Sequence, residues 1–212
     1  MKPLRRVKIK WSRKFAYAIG LIATDGNLSK DGRHVVFTSK DEESIKDFLK
    51  ALSLDSKSVS IKRKGSGSNK EKDYYFVQIG DVVFYRFLNS IGLTTNKSKS
   101  IGAIKVPSKY FIDFLRGHFD GDGSFFSYWD KRWKSSFMFY LSFVSASLEH
   151  IDWLRQEIHN LFNVKGHITK SSVFQLKYAK SEATQIIKGL YKAKCLRLSR
   201  KYNKIKLALS VA

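Results

Sequence analysis

The sequence predicts an α+β fold built from two pseudo-symmetric αββαββα repeats with antiparallel sheets. Three observations predict it. The apolar stretch Phe15-Ala-Tyr-Ala-Ile-Gly-Leu-Ile-Ala-Thr-Asp-Gly26 is repeated in character by Ile112-Asp-Phe-Leu-Arg-Gly-His-Phe-Asp-Gly-Asp-Gly123, with Gly20, Asp25 and Gly26 matched by Gly117, Asp122 and Gly123 at one offset. Each stretch is followed by the same succession of hairpin, helix, strand pair and helix. The segments Phe37-Thr-Ser-Lys-Asp and Phe143-Val-Ser-Ala-Ser fall in the same slot of that succession.

The elements follow in order. Ser12 is placed to cap the first helix, and Gly26 to end it in the left-handed conformation that favours glycine. A hairpin over Asn27–Ser39 turns at Asp31-Gly32 and leads to a helix near Glu42–Leu52. Strands near Ser58–Lys64 and Tyr74–Gly80 flank a flexible tip, Gly65-Ser-Gly-Ser-Asn, and precede a helix near Val82–Ile91. Thr94–Pro107 reads as the connector, and the division expected is a first repeat over 1–97, a linker over 98–108 and a second repeat over 109–212. In the second repeat Gly123 ends the helix. Strands lie near Ser124–Tyr128 and Phe137–Ser145, then a helix near Leu148–Phe162. Strands near Lys165–Lys170 and Val173–Tyr178 and a helix near Glu182–Lys192 complete it.

Composition narrows the function. Among 212 residues, 40 are lysine or arginine and 18 are acidic, a net charge of +22. The excess is shared: 22 basic and 10 acidic residues precede Ser108, and 18 and 8 follow it. A globular protein under this much self-repulsion is matched to a polyanion, and nucleic acid is the expected partner. Cys195 is the single cysteine, which excludes an internal disulfide and a cysteine-based zinc site and fits a reducing interior. The five histidines show no metal-ligand spacing. No apolar run approaches the roughly 20 residues of a membrane span, so no membrane partner is expected. The basic N-terminus (Lys2, Arg5, Arg6, Lys8, Lys10) lacks the apolar stretch of a signal peptide; it reads as an arm lying on phosphate or a short organellar presequence. An intracellular, non-secreted protein is expected, in a bacterial or archaeal cytoplasm or an organelle.

The chemistry is expected where the repeats meet. Gly20 and Gly117, each spaced by four from other small residues, form grooves through which two helix backbones can approach. Pairing about a pseudo-two-fold axis brings Asp25 and Asp122 together at two helix C-termini. Both the helix dipole and the neighbouring carboxylate disfavour negative charge there. A divalent cation resolves both conflicts and can activate water for phosphodiester hydrolysis. The alternating strands Ser58-Val-Ser-Ile-Lys-Arg-Lys and Tyr75-Phe-Val-Gln-Ile put polar and basic side chains on one face, a ribbon suited to the DNA major groove. Arg33, Lys40, Lys62, Lys64, Gln78, Lys134, Lys170, Gln175 and Lys177 are the candidate strand-borne contacts. No exposed aromatic stacking motif stands out, which speaks against a general RNA-binding module.

The paired stretches resemble the LAGLIDADG motif of the LAGLIDADG homing endonucleases, and the repeat order extends the resemblance over nearly the whole chain. The resemblance implies curved sheets forming a DNA-binding saddle. It implies metal binding by the last acid of each motif, Asp25 and Asp122, and by the backbone carbonyls of Thr24 and Gly121. Lys97-Ser98 with Pro107 resembles a Lys-Ser pair followed by a Pro that the family tends to have after the first repeat, and Arg200-Lys201-Tyr202 resembles a matching segment near the end; Lys97 and Lys201 are thereby implied to steady the scissile phosphate or attacking water. The expected activity is Mg²⁺-dependent hydrolysis of double-stranded DNA by a monomer needing no protein partner, at a long asymmetric target with 3′ overhangs. Ca²⁺ or Mn²⁺ can substitute for Mg²⁺ in crystals. The motifs depart from the family at Ala23, at Ala18-Ile19, and at Arg116 and His118. An intron maturase and a non-cleaving DNA-binding regulator on the same fold are the alternatives. An intein-borne enzyme is not expected, because the chain starts at Met and leaves no room for a splicing domain.

Overall fold

The computed structural model describes residues 5–64, 72–133, 135–192 and 194–211. Lys134, the 65–69 tip and the Lys64 side chain, all singled out above, lie outside the described residues or atoms. The first repeat runs α1 (Arg13–Asp25), β1 (Gly26–Leu28), β2 (His34–Ser39), α2 (Glu42–Ala51), β3 (Ser60–Lys64), β4 (Lys72–Gly80) and α3 (Val82–Ser90). Short 3₁₀ turns at Lys97–Lys99 and Ser108–Tyr110 punctuate the connection. The second repeat runs α4 (Phe111–Asp122), β5 (Ser124–Trp129), β6 (Phe137–Ser145), α5 (Leu148–Phe162), β7 (His167–Lys170), β8 (Phe174–Ala179) and α6 (Lys180–Leu190). A further helix, α7 (Ser199–Val211), follows it; the sequence reading did not anticipate it.

The predicted α+β architecture is present. The described strands form two four-stranded antiparallel sheets of matching order, β1-β2-β4-β3 and β5-β6-β8-β7. Helices cover one face of each. On that face Val35, Phe37, Val77 and Ile79 of the first sheet, and Phe139, Leu141, Phe143, Leu176 and Tyr178 of the second, are buried. The alternate rows lie on the opposite face, as period two requires.

Between the sheets, α1 and α4 run side by side in the same direction. Residues 15–23 of α1 are all buried, which explains why its apolar residues wrap the whole circumference. Ser12 caps α1 as expected, its hydroxyl accepting from the Phe15 N–H at 3.1 Å. Gly26 and Gly123, however, are not left-handed: their φ values are −80° and −68°, and the chain passes directly into a strand. Gly26 is required sterically instead, since a Cβ there would lie 2.7 Å from the Ile22 Cα.

The N-terminal arm is tied to the body. Buried Asp81 accepts the N–H groups of Arg6 at 2.7 Å and Val7 at 2.9 Å while capping α3 through the Phe84 N–H. No helix among the described residues is long and apolar enough to cross a membrane.

Candidate active site and nucleic-acid interface

The interior glycines allow α1 and α4 to touch backbone to backbone. A Cβ on Gly20 would sit 2.1 Å from the Phe114 carbonyl oxygen, and one on Gly117 would sit 2.1 Å from that of Tyr17. The reciprocity of these contacts is the pseudo-two-fold relation read from the sequence. One turn further on, a Cβ on Gly121 would lie 2.0 Å from the Thr24 Oγ1 and 3.1 Å from an Asp25 carboxylate oxygen. Asp25, Asp122, Thr24 and Gly121 are therefore gathered at one end of the helix pair.

Electrostatics at that end are strained. Burial raises the Asp25 carboxyl to about 7, and the Asp122 charge adds to the rise; Lys201 and Lys97 oppose it. Burial also raises Asp122, again against the two lysines. Burial lowers Lys97 and Lys201 to about 8 each, while the nearby carboxylates favour their charged forms. Four groups from distant parts of the chain thus share one desolvated centre.

Both lysines also terminate helices. Lys97 donates from Nζ to the Gly26 carbonyl at the end of α1. Lys201, on α7, reaches the carbonyls of Phe119, Asp120, Gly121 and Gly123 at 2.6, 2.8, 3.0 and 2.7 Å, closing the end of α4. A cation at a helix C-terminus satisfies carbonyls left without intrahelical donors and offsets the dipole.

Asp120 supports this end of the site and was not singled out in the sequence. Its Oδ2 accepts the Tyr17 hydroxyl at 2.8 Å and the Leu198 N–H at 2.9 Å, joining α1, α4 and the lead into α7. The signal was present: Asp120 stands where the first motif has Ala23, so the acid is peculiar to one repeat.

The strand candidates divide by register. Lys62 pairs opposite Tyr74 and Gln78 opposite Val36, on the helix-free face of the first sheet. Gln175 and Lys177, opposite Val144 and Ser142, lie on that face of the second. Lys40 follows the end of β2 and is exposed. Arg33 sits in the β1–β2 turn, 3.9 Å from Asp31. Lys170 departs from expectation: its partner Phe174 belongs to the row of Ile168 and Leu176, and its ammonium lies over the Phe174 ring at 5.1 Å. Ile61 departs too. Expected to be an inward apolar residue, it is 59% exposed, because β3 is an edge strand.

Exposed aromatics contradict the expectation that none would stand out. Phe126, Tyr128, Trp129 and Trp133 are all exposed on the β5–β6 hairpin.

Residues 12–92 match the model of a LAGLIDADG-like domain. The chain superposes on the homing endonuclease I-WcaI bound to its DNA recognition sequence with a TM-score of 0.69, at 13% identity, over 93% of this chain and 88% of that one. It has the LAGLIDADG homing endonuclease fold. This LAGLIDADG-fold chain is also similar to full-length DUF199/WhiA from Thermatoga maritima (TM-score 0.58, 17% identity), covering 96% of itself but only 62% of that chain. I-DmoI in complex with DNA and Mn matches at TM-score 0.50 and 17% identity over 84% of this chain and 97% of that one. An uncharacterized protein of Methanocaldococcus jannaschii is 24% identical over 127 residues, 58% of this chain; the match spans 46%, under half, of that relative.

Proposed function

We propose that this protein is a site-specific DNA endonuclease, cutting each strand of a long asymmetric duplex once with a divalent metal and leaving 3′ overhangs. The observation that carries this reading is the convergence of Asp25 and Asp122, from duplicated helices, at the root of two sheets whose outer faces hold Lys62, Gln78, Gln175 and Lys177.

The donor set fits a hard divalent cation. Two carboxylates share a desolvated centre where burial disfavours both charges and the Asp122 charge further disfavours that of Asp25, and carbonyls at a helix end supply further oxygens. The Asp25 and Asp122 carboxylates, with the Thr24 and Gly121 carbonyls, would hold Mg²⁺. The Gly121 oxygen accepts from Lys201 and keeps a second lone pair. When bound, the cation supplies an activated water and charge stabilisation for the leaving oxygen. The chain's own groups do the rest. Lys97 and Lys201 hold the two helix ends in register and place positive charge beside the phosphate that enters. The outer faces of the sheets bind and orient the duplex.

A cleavage selection on a randomised duplex library with Mg²⁺, run beside Asp25→Asn and Asp122→Asn, tests the reading. Each substitution should abolish double-strand cleavage and spare most of the binding. Cleavage unimpaired in either variant refutes the assignment. Affinity should also fall steeply with salt, since each neutralised phosphate releases counterions.

The likeness to DUF199/WhiA favours a second reading, a non-cleaving DNA-binding protein on the same scaffold. Duplex binding with no Mg²⁺-dependent nicking of the selected site would establish it.

A further inference from the structure

The β5–β6 hairpin shows water a surface that the fold does not explain. Phe126 is 58% exposed, Trp129 52% and Trp133 69%. Phe126 and Tyr128 alternate with buried Phe125, and so lie on the helix-free face of the second sheet. The cross-strand partners of Phe126 and Tyr128 are Tyr140 and Met138. The rings form a continuous strip, with Phe126 and Tyr128 centroids 5.5 Å apart and Tyr128 and Tyr140 stacked at 6.4 Å and 10°. Contiguous exposed apolar surface of this kind marks a binding site.

The duplication makes the strip specific to one half. At the offset that relates Gly26 to Gly123, Phe126 corresponds to Ser29 and Tyr128 to Asp31. The first half therefore presents polar residues where the second presents aromatic ones. The strip lies on the same face as Gln175 and Lys177, and on the strand that leaves directly from Asp122. Its occupant is therefore the ligand of that face, which the reading above takes to be duplex DNA. In the major groove every base edge offers hydrogen-bond donors or acceptors, and the apolar group on offer is the thymine C5-methyl.

We infer that Phe126, Tyr128, Met138 and Tyr140 form an apolar reader of thymine methyl groups. The half-site bound by the second repeat is then recognised by methyl burial, and that bound by the first by hydrogen bonds. This rests on the duplex-DNA reading, and its consequence is discrimination against RNA, whose uracil lacks the methyl.

The test replaces thymine by deoxyuridine in the selected target duplex, one half-site at a time, and measures equilibrium binding by fluorescence anisotropy. Pairing is unchanged and only methyl groups are lost. Binding should weaken in one half-site alone, by about fourfold per contacted methyl, the effect of burying one methyl-sized group. In Phe126→Ser, which installs the first repeat's residue at an exposed position, that sensitivity should fall. Equal binding of thymine and deoxyuridine duplexes overturns the inference and leaves the endonuclease reading standing. Undiminished sensitivity in Phe126→Ser also overturns it. So does tighter binding of a half-site with unpaired bases, which would assign the strip to stacking. A protein that binds no duplex fails both readings.

Discussion

Where α1 carries Ile19, Leu21 and Ala23, α4 carries Arg116, His118 and Asp120, and all six are buried. The two helices meet through equivalent glycines, yet their other flanks are built from opposite chemistry. On α1 the flank packs against carbon. On α4 it is a set of tethers. Arg116 pairs with Asp113 and donates to the Leu196 and Leu190 carbonyls at 2.8 and 2.9 Å. His118 meets His150 at 3.0 Å between Nε2 atoms, and the other ring nitrogen of His150 lies 2.8 Å from the Gly102 carbonyl. That second bond makes His150 Nδ1 the donor, so His118 Nε2–H donates to an unprotonated His150 Nε2. The contrast teaches that one copy serves as a core helix, while the other anchors the connector and the approach to α7.

The largest effect should come from breaking what the helices share. Gly117→Val drives side-chain carbons into the Tyr17 carbonyl, a backbone atom that cannot swing aside. Urea denaturation should show a loss above about 4 kcal/mol, or no folded protein. Next comes the chemistry they do not share. Arg116→Met leaves Asp113 buried without its partner and should cost about 3–5 kcal/mol. Ile19→Val, at the matching site on α1, should cost about 1 kcal/mol. Similar losses at the two sites would erase the distinction between tether and core.

The two helix-end lysines sharpen the comparison further. Lys201→Met strands the carbonyls of four residues and should destabilise by about 2–3 kcal/mol, given about 1.5–3 kcal/mol for a hydrogen bond to a charged group. Lys97→Met releases one carbonyl and should cost visibly less in the same denaturation series.

The smallest effect concerns pH. Burial lowers His150 to about 4 and lowers His118 well below its usual range. Above about 6.5 both histidines are neutral in folded and unfolded chains alike. As pH falls from about 6.5 toward 4 the unfolded chain takes up protons that the folded one refuses, so stability drops. Asp47, raised to about 6 by burial and by Glu43, pulls the other way, so the difference between two proteins is the quantity to measure. His118→Leu, which installs the residue of α1, should flatten the decline between pH 6.5 and 4.5 by about 1–2 kcal/mol. An unchanged profile would mean that His118 takes up its proton equally in the folded and unfolded chains.

The repeat made much of this legible in the sequence. Matching Gly20 with Gly117 and Asp25 with Asp122 locates the helix contact and the acidic pair from the sequence alone. What escaped had no counterpart in the other repeat or depended on pairing. Asp120 and α7 belong to one half alone. Lys170 sits on the wrong row because β7 begins at His167 and its register is fixed by β8, which the sequence of β7 does not contain. The exposed aromatics of β5 escaped notice, since the strand's own sequence does not say which of its two rows faces the helices. Gly26, expected to end α1 through left-handed freedom, and Gly123, expected to stop α4, do stand at the helix ends, but for a steric reason: the crowded exit into a strand leaves no room for a Cβ.

The charged centre draws Asp25, Lys97, Asp122 and Lys201 from positions spread along almost the entire polypeptide. During synthesis the ribosome has to release residue 201 before the last of them can arrive. A nascent or prematurely terminated product carries both aspartates and much of the basic surface, yet leaves the end of α4 uncapped. The charged centre is therefore complete only when residue 201 has joined the other three.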